Sequence, residues 1–315
     1  MNRRTLLTMA LLASLCPVPA IAQDGAEHGA LRITGSPSDA QLIDRLWRGY
    51  AAGRPDARMA KSLHGAESTL AGVYTGTADI ALMARETREP MERMAFQWAM
   101  LTPPFEVEIA TAGIMADRPN AQLGVFVNAT NPLAGVTMTQ LDAVLGDERL
   151  RGGRAIATWG DLGLDGSWAA ARLQPYGPEV ESINALYVRR LLMKDSRKWR
   201  ADFRATKDDA AVVGAVAGDR HGIGIAPLRL ATPKVRAIAV EGVAPDTTGI
   251  ASRAYPLARA VRMVVYRPED GAIDRRVTDF LRHVLSPDGQ AAIAEDGVYL
   301  PLPRERAAAE AAKLQ

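Results

Sequence analysis

The stretch LRITGSPSDAQLIDRLWRGYAAGRP, residues 31–55, contains a short apolar strand, a tight turn and an amphipathic helix. Ser36 is placed to cap the helix, with Pro37 at its first position and Asp39 at the spacing of a capping box. The apolar side chains that follow fall on one helical face: Leu42, Ile43, Leu46, Trp47 and Tyr50. A strand that leads directly into such a helix is the repeating unit of α/β proteins.

The same alternation of short apolar runs and amphipathic stretches continues along the chain, which predicts an α/β fold with largely parallel strands. With 315 residues, the chain is long enough for two domains or one bilobed domain. It has no internal repeat and no low-complexity linker, so the lobes must be joined by structured chain. Further strands are predicted at residues 78–83, 123–127, 223–226, 235–240 and 261–266.

Residues 1–22, MNRRTLLTMALLASLCPVPAIA, have the features of a signal peptide. Arg3 and Arg4 form a charged end, an apolar stretch follows, and small residues near Ala22 suit a signal peptidase. Cys16 is the one cysteine of the chain, so the mature protein has none and forms no disulfide. We expect a periplasmic protein that is soluble after cleavage near Ala22. Export by the general or the twin-arginine route is left open.

Charge and motifs exclude several function classes. The chain has 38 basic and 36 acidic residues; without Arg3 and Arg4 both numbers are 36, and the net charge is zero. A neutral chain has no general attraction to nucleic acid or to anionic membranes, so neither is expected as a partner. No nucleophile elbow, zinc-protease motif, paired-cysteine motif or phosphate loop occurs, and the four histidines are scattered. We therefore expect no enzyme activity, no metal site and no cofactor.

Several segments, taken together and in order, resemble the phosphate-binding proteins of bacterial ABC uptake systems, which have the type II periplasmic binding fold. They are GSPS at residues 35–38, GTADI at 76–80, VNATNPL at 127–133, TWGDLG at 158–163, HGIGI at 221–225, YPLAR at 255–259 and FLRHVLSPDGQ at 280–290. The likeness spans about residues 31 to 303, which is nearly the whole mature chain.

The resemblance implies two Rossmann-like α/β lobes that are joined by two chain crossings and close over a small ligand. We expect the crossings near residues 117–125 and 220–226. The predicted division is a signal peptide at 1–22, a first lobe at 31–120 plus 222–303, a second lobe at 121–221, and a helical tail at 304–315.

The resemblance also implies ligand contacts, carried over position by position. The family's helix-start contacts match Ser36 and Ser38, and its glycine- and serine-rich loop matches a segment that includes Ala66 and Glu67. Ser36 also fits ordinary helix capping. The arginine after the ADI strand matches Arg85, which is expected to be the main side-chain cation of the site.

The family's most diagnostic loop, an arginine followed by Ser-Gly-Thr, is altered in this chain. Pro178 stands in place of the arginine, whereas Ser182 remains and Asn184 replaces the threonine. Losing the arginine removes the strongest kind of contact to phosphate. The chain is therefore expected to be a divergent branch of the family. Glu67 and Glu181, which would repel an anion inside the cleft, can instead face solvent.

These observations predict an exported, monomeric solute-binding protein that captures phosphate or a related small oxyanion for an inner-membrane ABC permease. Two alternatives stay open. One is a binding protein of the same fold for a different small polar ligand, such as an organic acid or an amine. The other is a sensor or interaction protein that keeps the fold without a tight small ligand.

Overall fold

A computed structural model describes residues 29–83, 85–118 and 120–315. The predicted signal peptide, including Cys16, lies outside the described residues. The strands are, in chain order, β1 (Leu31–Gly35), β2 (Met59–Leu63), β3 (Ile80–Met83), β4 (Phe105–Ala112), β5 (Leu123–Asn128), β6 (Gly135–Val136), β7 (Gln174–Gly177), β8 (Arg204–Ala205), β9 (Gly222–Pro227), β10 (Val235–Val240), β11 (Ala260–Val265) and β12 (Tyr299–Pro301).

Helices cover the two sheets and connect their strands. They are α1 (Ala40–Ala51), α2 (Thr69–Tyr74), α3 (Met91–Met100), α4 (Met138–Leu145), α5 (Ile183–Leu192), α6 (Asp209–Gly218), α7 (Thr247–Ala251), α8 (Arg275–Leu285), α9 (Pro287–Asp296) and α10 (Arg304–Ala312). Among the residues that the structure describes, no helix combines the length and the apolar character needed to cross a membrane.

The strands form two six-stranded sheets, which confirms the predicted α/β class with two sheet-based lobes. The expectation of largely parallel strands is wrong, because five of the ten strand pairings among the described residues are antiparallel. The first sheet has the order β12-β4-β11-β3-β1-β2, and the second has the order β6-β10-β5-β9-β7-β8. In the first sheet β1 pairs in parallel with β2 and β3, whereas β11 is antiparallel to both β3 and β4. In the second sheet β5 is antiparallel to β9 and β10.

The sheet pairing differs from the predicted division of the chain in one place. Residues 222–227 and 235–240 were expected to belong to the first lobe, but β9 and β10 flank β5 in the second sheet. The chain therefore returns to the first sheet between Val240 and Ala260, not at residues 220–226. An apolar strand is compatible with either sheet, and only its partner in the fold decides between them.

The start of α1 also differs from the sequence prediction in detail. Ser36 caps a short 3-10 turn over Pro37–Asp39, and the α-helix itself begins at Ala40 with Asp39 as its N-cap. The predicted helical face is otherwise confirmed, because Leu42, Leu46 and other apolar side chains of α1 are buried in the core of the first sheet. The Ser36 side chain thus accepts a hydrogen bond at a helix start, as ordinary capping requires.

Each sheet has its own hydrophobic core. The core of the first sheet includes Phe280 and Val284 of α8, together with Leu314 beyond α10. The tail is thus packed on the first lobe, and Glu310 is buried there, where it accepts a hydrogen bond from the Glu108 N–H at 3.0 Å. The core of the second sheet includes Trp159 from the predicted tryptophan loop.

Candidate functional site

The two serines of the predicted site lie together at the turn before α1. The Oγ atoms of Ser36 and Ser38 are 2.8 Å apart, and Ser36 Oγ also accepts a hydrogen bond from the Ser38 N–H at 3.4 Å. The Arg118 guanidinium, from the segment that leaves the first lobe, donates to the Ser38 carbonyl at 2.7 Å. The helix start is thereby fixed against the crossing segment of the chain.

A buried carboxyl group, that of Asp39, stands at the same helix start. Asp39 Oδ1 accepts hydrogen bonds from the Tyr299 hydroxyl at 2.9 Å and from Arg118 Nε at 3.3 Å. Asp39 Oδ2 is buried without a hydrogen-bond partner among the described residues. Burial raises the pKa of Asp39, although the Tyr299 hydroxyl and Arg118 partly oppose the rise.

The raised pKa of Asp39 predicts a specific pH dependence of stability. Because the folded protein holds this proton more tightly than the unfolded chain, stability is lost as pH rises through the Asp39 pKa. Asp39→Asn removes this loss and keeps an oxygen that can accept from Tyr299. We expect the variant to gain stability relative to the parent as pH rises above 3.8, the ordinary pKa of an aspartate, measured by urea unfolding. Parallel stability curves for the two proteins would contradict the assignment.

Arg85 is buried and already neutralised, which differs from its expected role as the main ligand cation. Its two terminal nitrogens contact both carboxylate oxygens of Glu92 at 2.8 and 2.5 Å, and they also donate to the carbonyls of Ala66 and Glu86 at 2.9 Å each. Nε has no hydrogen-bond partner among the described residues and lies 3.9 Å from a carboxylate oxygen of Glu67. The four hydrogen bonds of its terminal nitrogens therefore hold neighbouring segments of the protein in place.

Arg85 also contacts the loop that contains Ala66 and Glu67. The Ala66 carbonyl accepts from Arg85, whereas the Glu67 side chain is largely exposed and pairs with Arg88 at 2.6 Å. The positive charge of Arg88 thus offsets the glutamate that would otherwise repel an anion at this edge.

In the second lobe, Ser182 and Asn184 lie at the start of α5. Ser182 Oγ accepts from the Ala185 N–H at 3.2 Å and caps the helix. Asn184 is buried, and its Nδ2 donates to Asp209 at 2.7 Å while its Oδ1 accepts from Arg259 at 2.7 Å. The amide of Asn184 therefore joins two structural partners, whereas the Ser182 side chain caps α5.

Arg259, directly before β11, and Glu86, after β3, form a buried ion pair within the first lobe that the sequence did not indicate. Arg259 contacts both carboxylate oxygens of Glu86, at 3.1 and 2.6 Å, and lies 4.4 Å from the ring centre of Tyr187. Burial alone would raise the pKa of Glu86, but the Arg259 guanidinium lowers it below its ordinary value. Since the Glu86 carbonyl also binds Arg85, one polar path runs from Ala66 to Asn184.

The structure therefore brings together only part of the predicted site. Ala66, Arg85 and Asn184 lie on one continuous polar network, Glu67 is at its edge, and Ser36, Ser38 and Ser182 make no direct contact with it. Arg259 was part of the quoted YPLAR segment, but its position directly before an apolar strand does not show whether its side chain is buried or exposed. Glu86, which is 173 positions away, could not be chosen as its partner from sequence.

Comparison with known proteins supports the resemblance. No family model matches the chain. The phosphate-binding protein PstS of Pseudomonas aeruginosa is 29% identical over 286 residues, which cover 87% of this chain and 84% of that protein. Protein SphX of Synechococcus elongatus is 26% identical over 190 residues, which cover 58% of this chain and 53% of SphX.

Solved structures show the same fold at lower identity. An ABC-type phosphate transport receptor from Vibrio cholerae has a TM-score of 0.57 and 21% identity, over 87% of this chain and 100% of that one. PstS from Borrelia burgdorferi has a TM-score of 0.60 and 18% identity, over 87% and 99% of the two chains. The chain is therefore a divergent homologue of the phosphate-binding proteins, with the type II periplasmic binding fold.

Proposed function

We propose that this chain is a non-enzymatic, exported solute-binding protein that captures phosphate or a related small oxyanion between its lobes and presents it to an inner-membrane ABC permease. The observation that carries the proposal is the similarity to the phosphate-binding protein PstS over 286 residues. In this proposal residues 1–22 direct export, cleavage near Ala22 releases a periplasmic monomer, and residues 29–315 bind the ligand.

Serine-capped helix starts in both lobes support binding of an anion. The first turns of α1 and α5 have backbone N–H groups without intrahelical partners and a partial positive charge. Ser36 and Ser38 stand at the first of these starts and Ser182 at the second. With Arg85 bound to Glu92, affinity in this site depends on N–H and hydroxyl groups more than on a guanidinium. The bound ion is proposed to contact Ser36, Ser38, Ala66, Ser182, Asn184 and the Nε of Arg85, with Glu67, whose charge is paired with Arg88, at the edge of the site.

Isothermal calorimetry with inorganic phosphate tests the proposal, and we expect one site per chain. Ser182→Ala removes one hydroxyl donor, which corresponds to about 0.5–1.5 kcal/mol and therefore a several-fold loss of phosphate affinity. Ser286→Ala is a matched control, because Ser286 caps α9 by the same side-chain hydrogen bond and has nearly the same φ and ψ.

Both substitutions should lower stability by about 1 kcal/mol through loss of the cap, but only Ser182→Ala should weaken binding. Equal phosphate affinities of the two variants would remove Ser182 from the site. A parent protein that binds no phosphate would contradict the proposed function itself.

A further inference from the structure

A cavity of about 330 Å³ lies between the two lobes, beside the predicted oxyanion site. The first lobe contributes residues 85–89 and Met91 at the start of α3, and the second lobe contributes residues of α5 and the loop after it. The cavity shares Arg85 with the predicted site, but Ser36, Ser38 and Ser182 do not line it. It is therefore a separate binding space within the same cleft.

The size and walls of this cavity fit a ligand larger than phosphate. Small-molecule sites in proteins have volumes of roughly 300–1,000 Å³ and combine apolar walls with a few polar groups. Its apolar walls come from both lobes and consist of Met91, Ile183, Leu186 and Tyr187. An inorganic oxyanion has no group that would use these walls.

The polar groups of the cavity favour a negative charge. Arg189 lines it and is only 8% exposed, yet within the described ranges no carboxylate oxygen lies within 4.0 Å of its guanidinium. Its Nε donates to the Ser196 carbonyl at 3.0 Å, and its terminal nitrogens, which remain accessible to solvent, have no hydrogen-bond partner among the described residues. A guanidinium whose free donors line a cavity can bind an anion there through charge-assisted hydrogen bonds.

Arg197 is a second cation of the cavity without an ion-pair partner in the described part of the chain. The carboxylates that the structure describes nearby do not form ion pairs with Arg189 or Arg197. Arg197 is exposed and makes no ion pair with the described residues. Glu86 is bound to Arg259, and Glu89 is bound to Arg93 at 2.5 Å. Glu181 and Asp195 also line the cavity and are exposed, as Arg197 is, so water and salt screen all three charges, whereas Arg189 is largely buried.

We propose that this cavity binds a small organic anion, with its carboxylate or phosphate-ester group at Arg189 and Arg197 and an apolar group against Ile183, Leu186 and Met91. The inference goes beyond the proposed capture of phosphate, because it assigns a second ligand class to a neighbouring space. Both lobes contribute walls, so the bound anion would also hold the lobes together.

Calorimetry on the mature chain tests this with two pairs of anions that share a charged group. Phenyl phosphate is compared with inorganic phosphate, and benzoate with acetate. We expect at least one aryl anion to bind tenfold or more tightly than its small partner. If phenyl phosphate and benzoate both bind no more tightly than phosphate and acetate, the proposal is wrong.

Three variants locate the site. Arg197→Gln, at an exposed position, and Arg189→Gln should weaken aryl-anion binding about tenfold or more, because each removes a charged hydrogen-bond partner. Leu186→Trp places a larger side chain in the cavity and leaves less room for an aryl group. It should therefore also weaken aryl-anion binding. Arg154→Gln is the control, since Arg154 is an exposed arginine of the second lobe that does not line the cavity.

Inorganic phosphate separates this inference from the proposed function. The affinity for phosphate should stay within threefold of the parent in Arg197→Gln and Leu186→Trp. If phosphate binding is lost together with aryl-anion binding in both variants, the two ligands share one site and the separate cavity is refuted. If the parent binds aryl anions but no phosphate, the proposed function fails while this inference stands.

Discussion

Glu86→Ala is expected to lower the free energy of unfolding by about 3–5 kcal/mol, because it leaves the Arg259 guanidinium buried without its counter-charge. Arg259 is fully buried, and its remaining side-chain contacts are the Asn184 amide oxygen, the Ala121 carbonyl and the Tyr187 ring. None of these contacts carries a negative charge. Urea unfolding of the parent and the variant, followed by tryptophan fluorescence, measures the difference.

An exposed ion pair supplies the control. Asp279 pairs with Arg275, whose side chain is 91% exposed, so Asp279→Ala should change stability by less than about 1 kcal/mol. The double variant Glu86→Met with Arg259→Met should recover most of the loss, since apolar groups of similar size can replace a buried pair at little cost. If Glu86→Ala costs no more than Asp279→Ala, the buried pair does not stabilise the fold.

The same pair has a pH signature whose sign follows from the lowered pKa of Glu86. The stabilisation by Glu86 is present above its ordinary pKa of 4.5 and is lost as pH falls through the lower pKa of the folded state. Acid should therefore destabilise the parent more steeply than Glu86→Ala. Asp39 acts in the opposite direction, because its pKa is raised.

Local features of this fold were predictable because their causes are local. A capping box at Thr137 and Gln140 is present as its spacing indicates, and Ser182 and Ser286 cap their helices. Alternation of apolar runs correctly placed β1, β3, β5, β9, β10 and β11, half of the twelve strands in the described residues. Each of these features depends on side chains within a few positions of one another, and such information is contained in a single sequence.

The features that were missed depend on partners far away in the chain. The membership of β9 and β10 in the second sheet is decided by pairing with β5, about a hundred residues earlier. The partner of Arg259 is likewise distant in sequence. Arg85 is a milder case, because Glu92 follows it by only seven residues, but the turn that brings them together is irregular. The resemblance to the family matched Arg85 to a ligand contact, but it did not indicate the ion pair of Arg85 with Glu92.

Arg85 therefore has a different expected role from the one that sequence comparison implies. Direct contact with an oxyanion through a free guanidinium would make Arg85→Ala lose affinity ten- to a hundredfold. In the structure, two of its nitrogens are held by Glu92 and by the carbonyls of Ala66 and Glu86, which leaves Nε as the guanidinium nitrogen without a hydrogen-bond partner among the described residues. The main work of Arg85 is then to hold the loop before α2 against the start of α3.

We expect Arg85→Ala to lower the free energy of unfolding by about 3 kcal/mol, because Glu92 loses its partner in a largely buried position. Its effect on phosphate affinity should be smaller than tenfold. Arg88→Ala is the matched control, since Arg88 forms the exposed pair with Glu67 and should contribute less than about 1 kcal/mol. Urea unfolding and phosphate calorimetry on both variants provide the two readouts.

Glu92→Gln separates the structural role from a ligand role. It frees Arg85 from its counter-charge while keeping a side chain of the same size that can still accept a hydrogen bond. If Arg85 is structural, Glu92→Gln lowers stability and leaves phosphate affinity within threefold of the parent. If Arg85 binds the anion, the released positive charge strengthens phosphate binding. If Arg85→Ala is as stable as the parent but binds phosphate more than tenfold more weakly, Arg85 is a ligand contact and the structural role is refuted.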